Sequence, residues 1–274
     1  MIKKPVVAGS FYPDEKSALA DLMSTLVIIP DKVNKKPYAI IVPHAGYEYS
    51  GKTAGFIYGV VKQYKYKNAI IVAPSHYNNS CDFFIGNYSA YHTPIGDLKT
   101  NQEAILKLIA KPGFNFNTNI DSKEHSLETQ LPFLKYAQPD IKITPIIFVR
   151  QTLLNAKRLA AYLQEYLDNE TLLVISTDLS HFHNSKEAEV MDNRLIEHIK
   201  NTDIDALHVE IANKQIEACG FGGLLTLMFI NRNMTNVKID YINYTHSGNI
   251  TGDKTKVVGY FSCGFYRTFN SSEC

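Results

Sequence analysis

The sequence lacks long apolar runs and a strong excess of either charge. No apolar run approaches membrane-spanning length, and the first ten residues, with Lys3 and Lys4, contain no apolar stretch long enough for a signal peptide. The net charge is +1, and the short lysine cluster in residues 62–67 is too small to form a basic surface for nucleic acid. We therefore expect a cytoplasmic protein whose partners include neither a membrane nor a nucleic acid.

Paired cysteines are also missing. The four cysteines are far apart, without the spacing of a zinc ribbon or a thiol redox motif; they are Cys81, Cys219, Cys263 and Cys274. Disulfides are not expected in a reducing cytoplasm. The hydrophobic content of 45% is ample for a core, and 274 residues are enough for one large α/β domain or two small ones.

One pattern occurs twice in the first third of the chain: an apolar run, then a proline, a histidine and a tyrosine. The first copy, residues 38–47, contains His44, and the second, residues 68–77, contains His76. Each run is typical of a strand buried on both faces, and the segment between them has the length of a crossover helix. Because ligands bind beyond the carboxyl ends of parallel strands, these histidines are predicted to form half of a metal site. Alternatively, each is a loop histidine that caps the end of its strand.

A later buried strand, residues 171–176, brings two more polar residues to the same edge. Asp178 and His181 follow it directly. An aspartate that accepts a hydrogen bond from one imidazole nitrogen makes the other nitrogen more basic, which suits an acid/base histidine. The alternative is that Asp178 caps a helix and His181 is an ordinary loop residue.

Cys219 comes just before Gly220 and an apolar run that predicts a buried helix. At a helix N-terminus the dipole and free backbone amides lower the pKa of a thiol, and the thiolate is the form that binds metal. Cys219 is therefore preferred as a ligand over Cys81, which lies in a polar loop. Cys263 lies in a strand pattern and is predicted to belong to the core.

Residues 123–134 predict a helix on which His125 and Glu128 share one face. Pro132 would then have to lie in the first turns. The two side chains would be either a pair that orients a catalytic group or an ordinary surface pair. Near the end of the chain, residues 237–244 and 257–265 predict a hairpin whose polar loop overhangs the site.

Several short motifs spread over nearly the whole chain resemble those of one known family. They are Ala8-Gly9-Ser10-Phe11-Tyr12-Pro13, Pro43-His44-Ala45-Gly46-Tyr47, Pro74-Ser75-His76, Glu124-His125-Ser126-Leu127-Glu128, Asp178-Leu179-Ser180-His181 and Cys219-Gly220. With them the chain resembles the MEMO family, known in prokaryotes as the B component of the AmmeMemoRadiSam system. The resemblance implies a single α/β domain over residues 1–274, with a mainly parallel central sheet flanked by helices. That fold is similar to the one found in class III extradiol ring-cleavage dioxygenases.

The resemblance also implies the positions of the site. His44, His76 and Cys219 become the metal ligands, with Asp178 and His181 as catalytic residues beside them. The pocket would be lined by Tyr47, Tyr49, His125 and Glu128. Extradiol dioxygenases hold ferrous iron with two histidines and a carboxylate, so a thiolate here makes a softer site, suited to copper, zinc or thiolate-ligated iron.

Two main function classes follow. The first is a metal-dependent oxidoreductase holding one transition-metal ion, with iron or copper favoured and zinc acceptable. The second is a non-catalytic module that binds a small molecule or a peptide in the same cleft. A zinc hydrolase is a weaker third option, since three protein ligands leave a fourth position for water. The expected protein partners are other members of the AmmeMemoRadiSam system.

Overall fold

The computed structural model describes residues 1–30, 35–116, 121–234 and 236–267. Its strands are β1 (Ile2–Lys3), β2 (Ala39–Val42), β3 (Asn68–Pro74), β4 (Phe83–Phe84), β5 (Ala90–Tyr91), β6 (Leu98–Lys99), β7 (Phe114–Asn115), β8 (Lys142–Phe148), β9 (Thr171–Ser176), β10 (His181–His183), β11 (Val237–His246) and β12 (Val257–Arg267). Its α-helices are α1 (Lys16–Leu26), α2 (Tyr47–Lys62), α3 (Gln102–Ile109), α4 (Gln130–Ala137), α5 (Leu153–Leu163), α6 (Ser185–Asn201), α7 (Ile204–Ala212), α8 (Phe221–Arg232) and α9 (Gly248–Thr251).

Four parallel strands form the centre of the large sheet, in the order β2, β9, β3 and β8. Their apolar runs are buried on both faces, as parallel sheets require. The predicted crossover from β2 through α2 to β3 is present. However, β9 lies between these two strands and pairs with both of them.

Antiparallel strands extend this centre on both sides. On one side β12 pairs with β2, and both β11 and β10 pair with β12. On the other side β4 pairs with β8, and β7 lies outside it. The predicted hairpin corresponds to β11 and β12. A separate small sheet contains β1, β5 and β6.

Helices cover both faces of the large sheet. In β2, Ile41 points into one core cluster, whereas Ile40 and Val42 point into the other. The first cluster contains residues of α3, α5, α6, α7 and α8, and the second contains residues of α1, α2 and α4. This arrangement confirms the predicted α/β fold class. No helix in the described ranges is long and apolar enough to cross a membrane.

The segment before α4 differs from the sequence prediction. Residues 121–129 form turns, and the helix begins only at Gln130. Pro132 lies in the first turn of α4, where the missing N–H costs no intrahelical hydrogen bond. His125 and Glu128 therefore do not share a helix face, and the predicted helix over residues 123–134 is wrong in its first half.

Candidate metal centre

Three histidines meet beyond the carboxyl ends of the central strands. His44 follows β2, His76 follows β3, and His125 comes from the turns before α4. The ring centroids of His44 and His76 are 5.3 Å apart, and the His125 ring stacks on His76 at 4.8 Å. One ring nitrogen from each histidine lies within 4.8 Å of the other two. This is a group of side chains that could hold a metal ion.

Burial keeps two of these rings neutral. Burial first, and then the nearby rings of His76 and His125, hold the pKa of His44 well below its ordinary value of 6.5. Burial and the His76 ring likewise lower the pKa of His125. Neutral imidazole is the form that binds metal, so these two side chains are ready to act as ligands at neutral pH.

Glu124 anchors the second histidine. Its carboxylate accepts hydrogen bonds from the backbone N–H of His76 at 2.6 Å and from Nδ1 of the same residue at 2.9 Å. Burial alone would raise the pKa of Glu124, but the His76 ring and the backbone amides of His76 and Ser126 bring it down to about 2. In the neutral form of the His76 ring, a carboxylate on Nδ1 favours the hydrogen on that nitrogen and leaves the lone pair on Nε2.

The hydroxyl of Ser176 contacts the ring of His44. Nδ1 of His44 lies 2.9 Å from Oγ of Ser176, the last residue of β9, and both side chains are buried. On the other side of the ring, Nε2 of His44 lies 3.2 Å from Sγ of Cys219.

Cys219 lies beside the histidine cluster, just before the Gly220 cap of α8. The backbone N–H of Asp178 donates to its sulfur at 3.1 Å. The structure contradicts the predicted lowering of the Cys219 pKa: burial, and then the negative charge of Asp178, raise it above its ordinary value of 9.0. Desolvation outweighs the helix terminus here. The assignment of Cys219 as a metal ligand stays a prediction.

Asp178 contacts His44 rather than His181. One carboxylate oxygen accepts from the backbone N–H of His44 at 2.8 Å, and the other lies 3.8 Å from Nε2 of His44. Within the described residues, no hydrogen bond joins this carboxylate to the ring of His181, so the predicted orienting contact is absent. His181 is half-buried, and its backbone N–H donates to Glu217.

The other predicted pocket residues lie in different places. Tyr47 is buried, and its hydroxyl donates to the carbonyl oxygen of Thr129 at 2.6 Å. Glu128 binds the amino-terminal segment by accepting from two backbone amides and from the hydroxyl of Tyr12. Tyr49 lines a separate cavity of about 620 Å³ beside α9. Of the four predicted pocket residues, the structure places only His125 in the histidine cluster.

Sequence reasoning missed the residues that hold the rings. Glu124 precedes His125 in one of the motifs, yet a single sequence gives no sign that it reaches His76. The apolar pattern identifies Ser176 only as the end of a strand. Phe11, whose ring packs edge-on against His125 at 5.0 Å, comes from the amino-terminal segment. Cys81 and Cys263 are free thiols, and Cys274 lies outside the described residues.

Known proteins resemble this chain over almost its full length. A Memo-like protein family model matches residues 3–263. A MEMO1 family protein of Methanobrevibacter smithii is 34% identical, covering 96% of this chain and 99% of its own. A MEMO1 family protein of Aquifex aeolicus is also 34% identical, with the same two coverages.

A solved structure of an uncharacterized protein from Escherichia coli K12 shows a weaker likeness. It is 12% identical and has a TM-score of 0.45, covering 82% of this chain and 98% of its own. The family model and the relatives cover both strand-end histidines, the His125 turn and the Cys219 loop. On these matches, the chain belongs to the MEMO family.

Proposed function

We propose that the chain binds one transition-metal ion at His44, His76 and His125 and acts as a metal-dependent oxidoreductase. The observation that carries this proposal is the convergence of three ring nitrogens within 4.8 Å. Imidazole nitrogen suits iron, copper and zinc, and redox chemistry favours the first two. Glu124 on His76 and Ser176 on His44 support the proposal, because metal-binding histidines usually give their second ring nitrogen a hydrogen-bond partner.

Cys219 enters the proposal as a further ligand. Its sulfur lies 3.2 Å from Nε2 of His44, so both atoms face the same space. A bound cation deprotonates a coordinating thiol outright, which would overcome the raised pKa. A thiolate beside imidazoles makes a softer donor set and favours copper. The carboxylate of Asp178 lies 3.8 Å from Nε2 of His44. The backbone N–H of the same residue donates a hydrogen bond to the Cys219 sulfur.

The reaction class that we propose is oxidation of an organic substrate by dioxygen. The ion, when bound, supplies a site at which dioxygen and the substrate can react. In a dioxygenase reaction both oxygen atoms enter the substrate, which gives up four electrons to dioxygen, so no further reductant is needed. His181 would take a proton from an acidic O–H or N–H of the substrate and return it to the product. Its half-buried ring, close enough to influence the pKa of Asp178, suits that role.

A second candidate function is binding without turnover. The cavity beside Tyr49 has the volume of a small-molecule site and lies between α2, β11 and α9. Its wall combines apolar Phe56 and Ile250 with the charged Lys52 and Glu48. In this alternative, a small molecule or a peptide, including a segment of another AmmeMemoRadiSam protein, would occupy the cavity, and the metal would be structural.

Metal analysis of histidine variants tests the proposal. Protein purified anaerobically should bind about one iron or copper ion per chain, and His44→Ala, His76→Ala and His125→Ala should each lose it. His92→Ala is the matched control, because His92 is paired with Asp97 at an exposed position away from the cluster. Oxygen uptake by the metal-loaded protein, measured with a catechol as the oxidisable probe that supplies the electrons, tests the reaction class.

The outcomes separate the candidate functions. Loss of metal in the three cluster variants but not in His92→Ala supports the proposed site. Full metal binding by His125→Ala would remove that residue from the ligand set. Stoichiometric metal without oxygen uptake or redox change would favour the binding module, and zinc with hydrolytic activity would favour a hydrolase.

A further inference from the structure

A buried chain of hydrogen bonds leads from α4 to the ring of His44. Gln130, the first residue of α4, is fully buried. Its Nε2 lies 2.9 Å from the carbonyl oxygen of Pro43 and 2.9 Å from Oγ of Ser176, and its Oε1 accepts from the hydroxyl of Tyr58 at 3.1 Å. A carbonyl oxygen can only accept, so the amide nitrogen must be the group that faces Pro43. The orientation of the Gln130 amide is therefore determined.

Ser176 has three partners and only one hydrogen to donate. Besides the Gln130 amide, its Oγ contacts the carbonyl oxygen of Ser126 at 2.7 Å and Nδ1 of His44 at 2.9 Å. The carbonyl can only accept, so it takes the hydroxyl hydrogen. The amide nitrogen can only donate and uses one lone pair of Oγ. What is left for His44 is the second lone pair, which requires a hydrogen on Nδ1.

We infer that Ser176 holds His44 in the tautomer that carries its hydrogen on Nδ1, with Gln130 and the Ser126 carbonyl fixing the direction of the hydroxyl. Nε2 then has its lone pair on the side of Cys219, whose sulfur lies 3.2 Å away and can donate its S–H to that nitrogen. In the opposite tautomer, the lone pair of Nδ1 would face a lone pair of the Ser176 oxygen, and both atoms are buried. Two groups near Nε2 could accept a hydrogen in that alternative: the Asp178 oxygen, at 3.8 Å, is too distant for a hydrogen bond, and the Cys219 sulfur, at 3.2 Å, is a weak acceptor.

Ser176 is thus a positioning residue for a ligand, and its effect on metal binding rests on the proposed function. In the cluster, two different groups orient the rings by contacting Nδ1: a carboxylate in the case of His76, and a neutral hydroxyl in the case of His44. Loss of such a partner typically weakens metal binding by about 10- to 100-fold.

Nitrogen-15 NMR of histidine-labelled, metal-free protein tests the tautomer directly. Long-range proton–nitrogen correlations distinguish a ring with hydrogen on Nδ1 from one with hydrogen on Nε2, and the His44 signals are assigned by their loss in His44→Ala. We expect a neutral His44 ring with hydrogen on Nδ1 at neutral pH. Hydrogen on Nε2 would overturn the inference without recourse to any Ser176 variant.

Variants connect the tautomer to metal binding. Ser176→Ala should give a mixture of His44 tautomers and bind Zn²⁺ about 10- to 100-fold more weakly, while Ser176→Thr, which restores the hydroxyl, should recover both properties. Ser262→Ala is the matched control, because Ser262 is equally buried and its hydroxyl donates one hydrogen bond, to Thr53. Thermal unfolding shows whether each variant is folded.

The two hypotheses fail in different ways. An unchanged tautomer and unchanged Zn²⁺ affinity in folded Ser176→Ala would overturn the positioning role. Wild-type protein that has hydrogen on Nδ1 of His44 yet binds no metal would refute the proposed function while supporting the tautomer assignment.

Discussion

Replacing Glu124 with glutamine keeps the shape of the side chain and removes its negative charge, so it isolates the contribution of the carboxylate to the cluster. The Glu124 carboxylate accepts from Nδ1 of His76 and from three backbone amides, at 2.6 to 3.0 Å. A glutamine can keep only one of the two oxygens. Its NH₂ group must then face a backbone N–H or the protonated Nδ1 of His76, and a buried donor loses its partner.

The lowered pKa of Glu124 gives the size of the expected loss in stability. A carboxyl group that titrates at about 2 instead of 4.5 favours its charged form in the folded protein by about 3 kcal/mol. We therefore expect Glu124→Gln to lower the free energy of unfolding by about 3 kcal/mol at neutral pH. The less basic His76 should also bind metal about 10- to 100-fold more weakly.

Urea denaturation of the metal-free protein is the assay, with Glu103→Gln as the control on an exposed helix face. The pKa of Glu124 is lower in the folded protein than in the unfolded chain. Its carboxylate therefore stabilises the fold fully above pH 4.5, and this stabilisation is lost as the pH falls toward about 2. The difference between wild type and Glu124→Gln should therefore shrink over that range. Equal stability of the two proteins at neutral pH would show that the charge of Glu124 does not stabilise the fold.

Two further predictions concern the residues beside the cluster. His181→Ala should keep the metal content of the wild type and abolish oxygen uptake, because His181 is proposed to move protons rather than to bind the ion; equal loss of metal in His181→Ala and His44→Ala would make it a ligand instead. Cys219→Ser should weaken metal binding markedly and suppress oxygen consumption, whereas Cys81→Ser, measured by the same anaerobic titration, should do neither. Full affinity in Cys219→Ser would exclude its sulfur from the donor set.

Local patterns were sufficient for much of the fold. The apolar run at residues 171–176 is a strand with those bounds, and the predicted hairpin pairs as β11 and β12. The insertion of β9 between β2 and β3 could not be predicted from the sequence, because strand order depends on how long connections pack. The failure of the predicted helix at residues 123–129 has a local cause. There the buried carboxylate of Glu124 binds the backbone N–H groups of His125 and Ser126, which supports turns rather than a helix.

The site was partly predictable for the same reasons. His44 and His76 each lie two residues beyond the end of a buried strand, so their sheet edge could be inferred from the pattern alone. His125 comes from irregular chain, and its place in the cluster depends on tertiary contacts. The thiol of Cys219 shows the limit of an argument from helix position, because the predicted dipole effect is smaller than the cost of burying a charge next to Asp178.

A crystal structure of the metal-loaded protein would show whether three imidazoles hold the ion. Anomalous diffraction at the absorption edge of the bound iron or copper locates the ion without assumptions about its ligands. We expect one strong peak at bonding distance, about 2.0 to 2.1 Å, from a ring nitrogen of His44, of His76 and of His125. A peak bonded elsewhere, or a fully loaded protein with no peak between these three rings, would contradict the proposed three-histidine site.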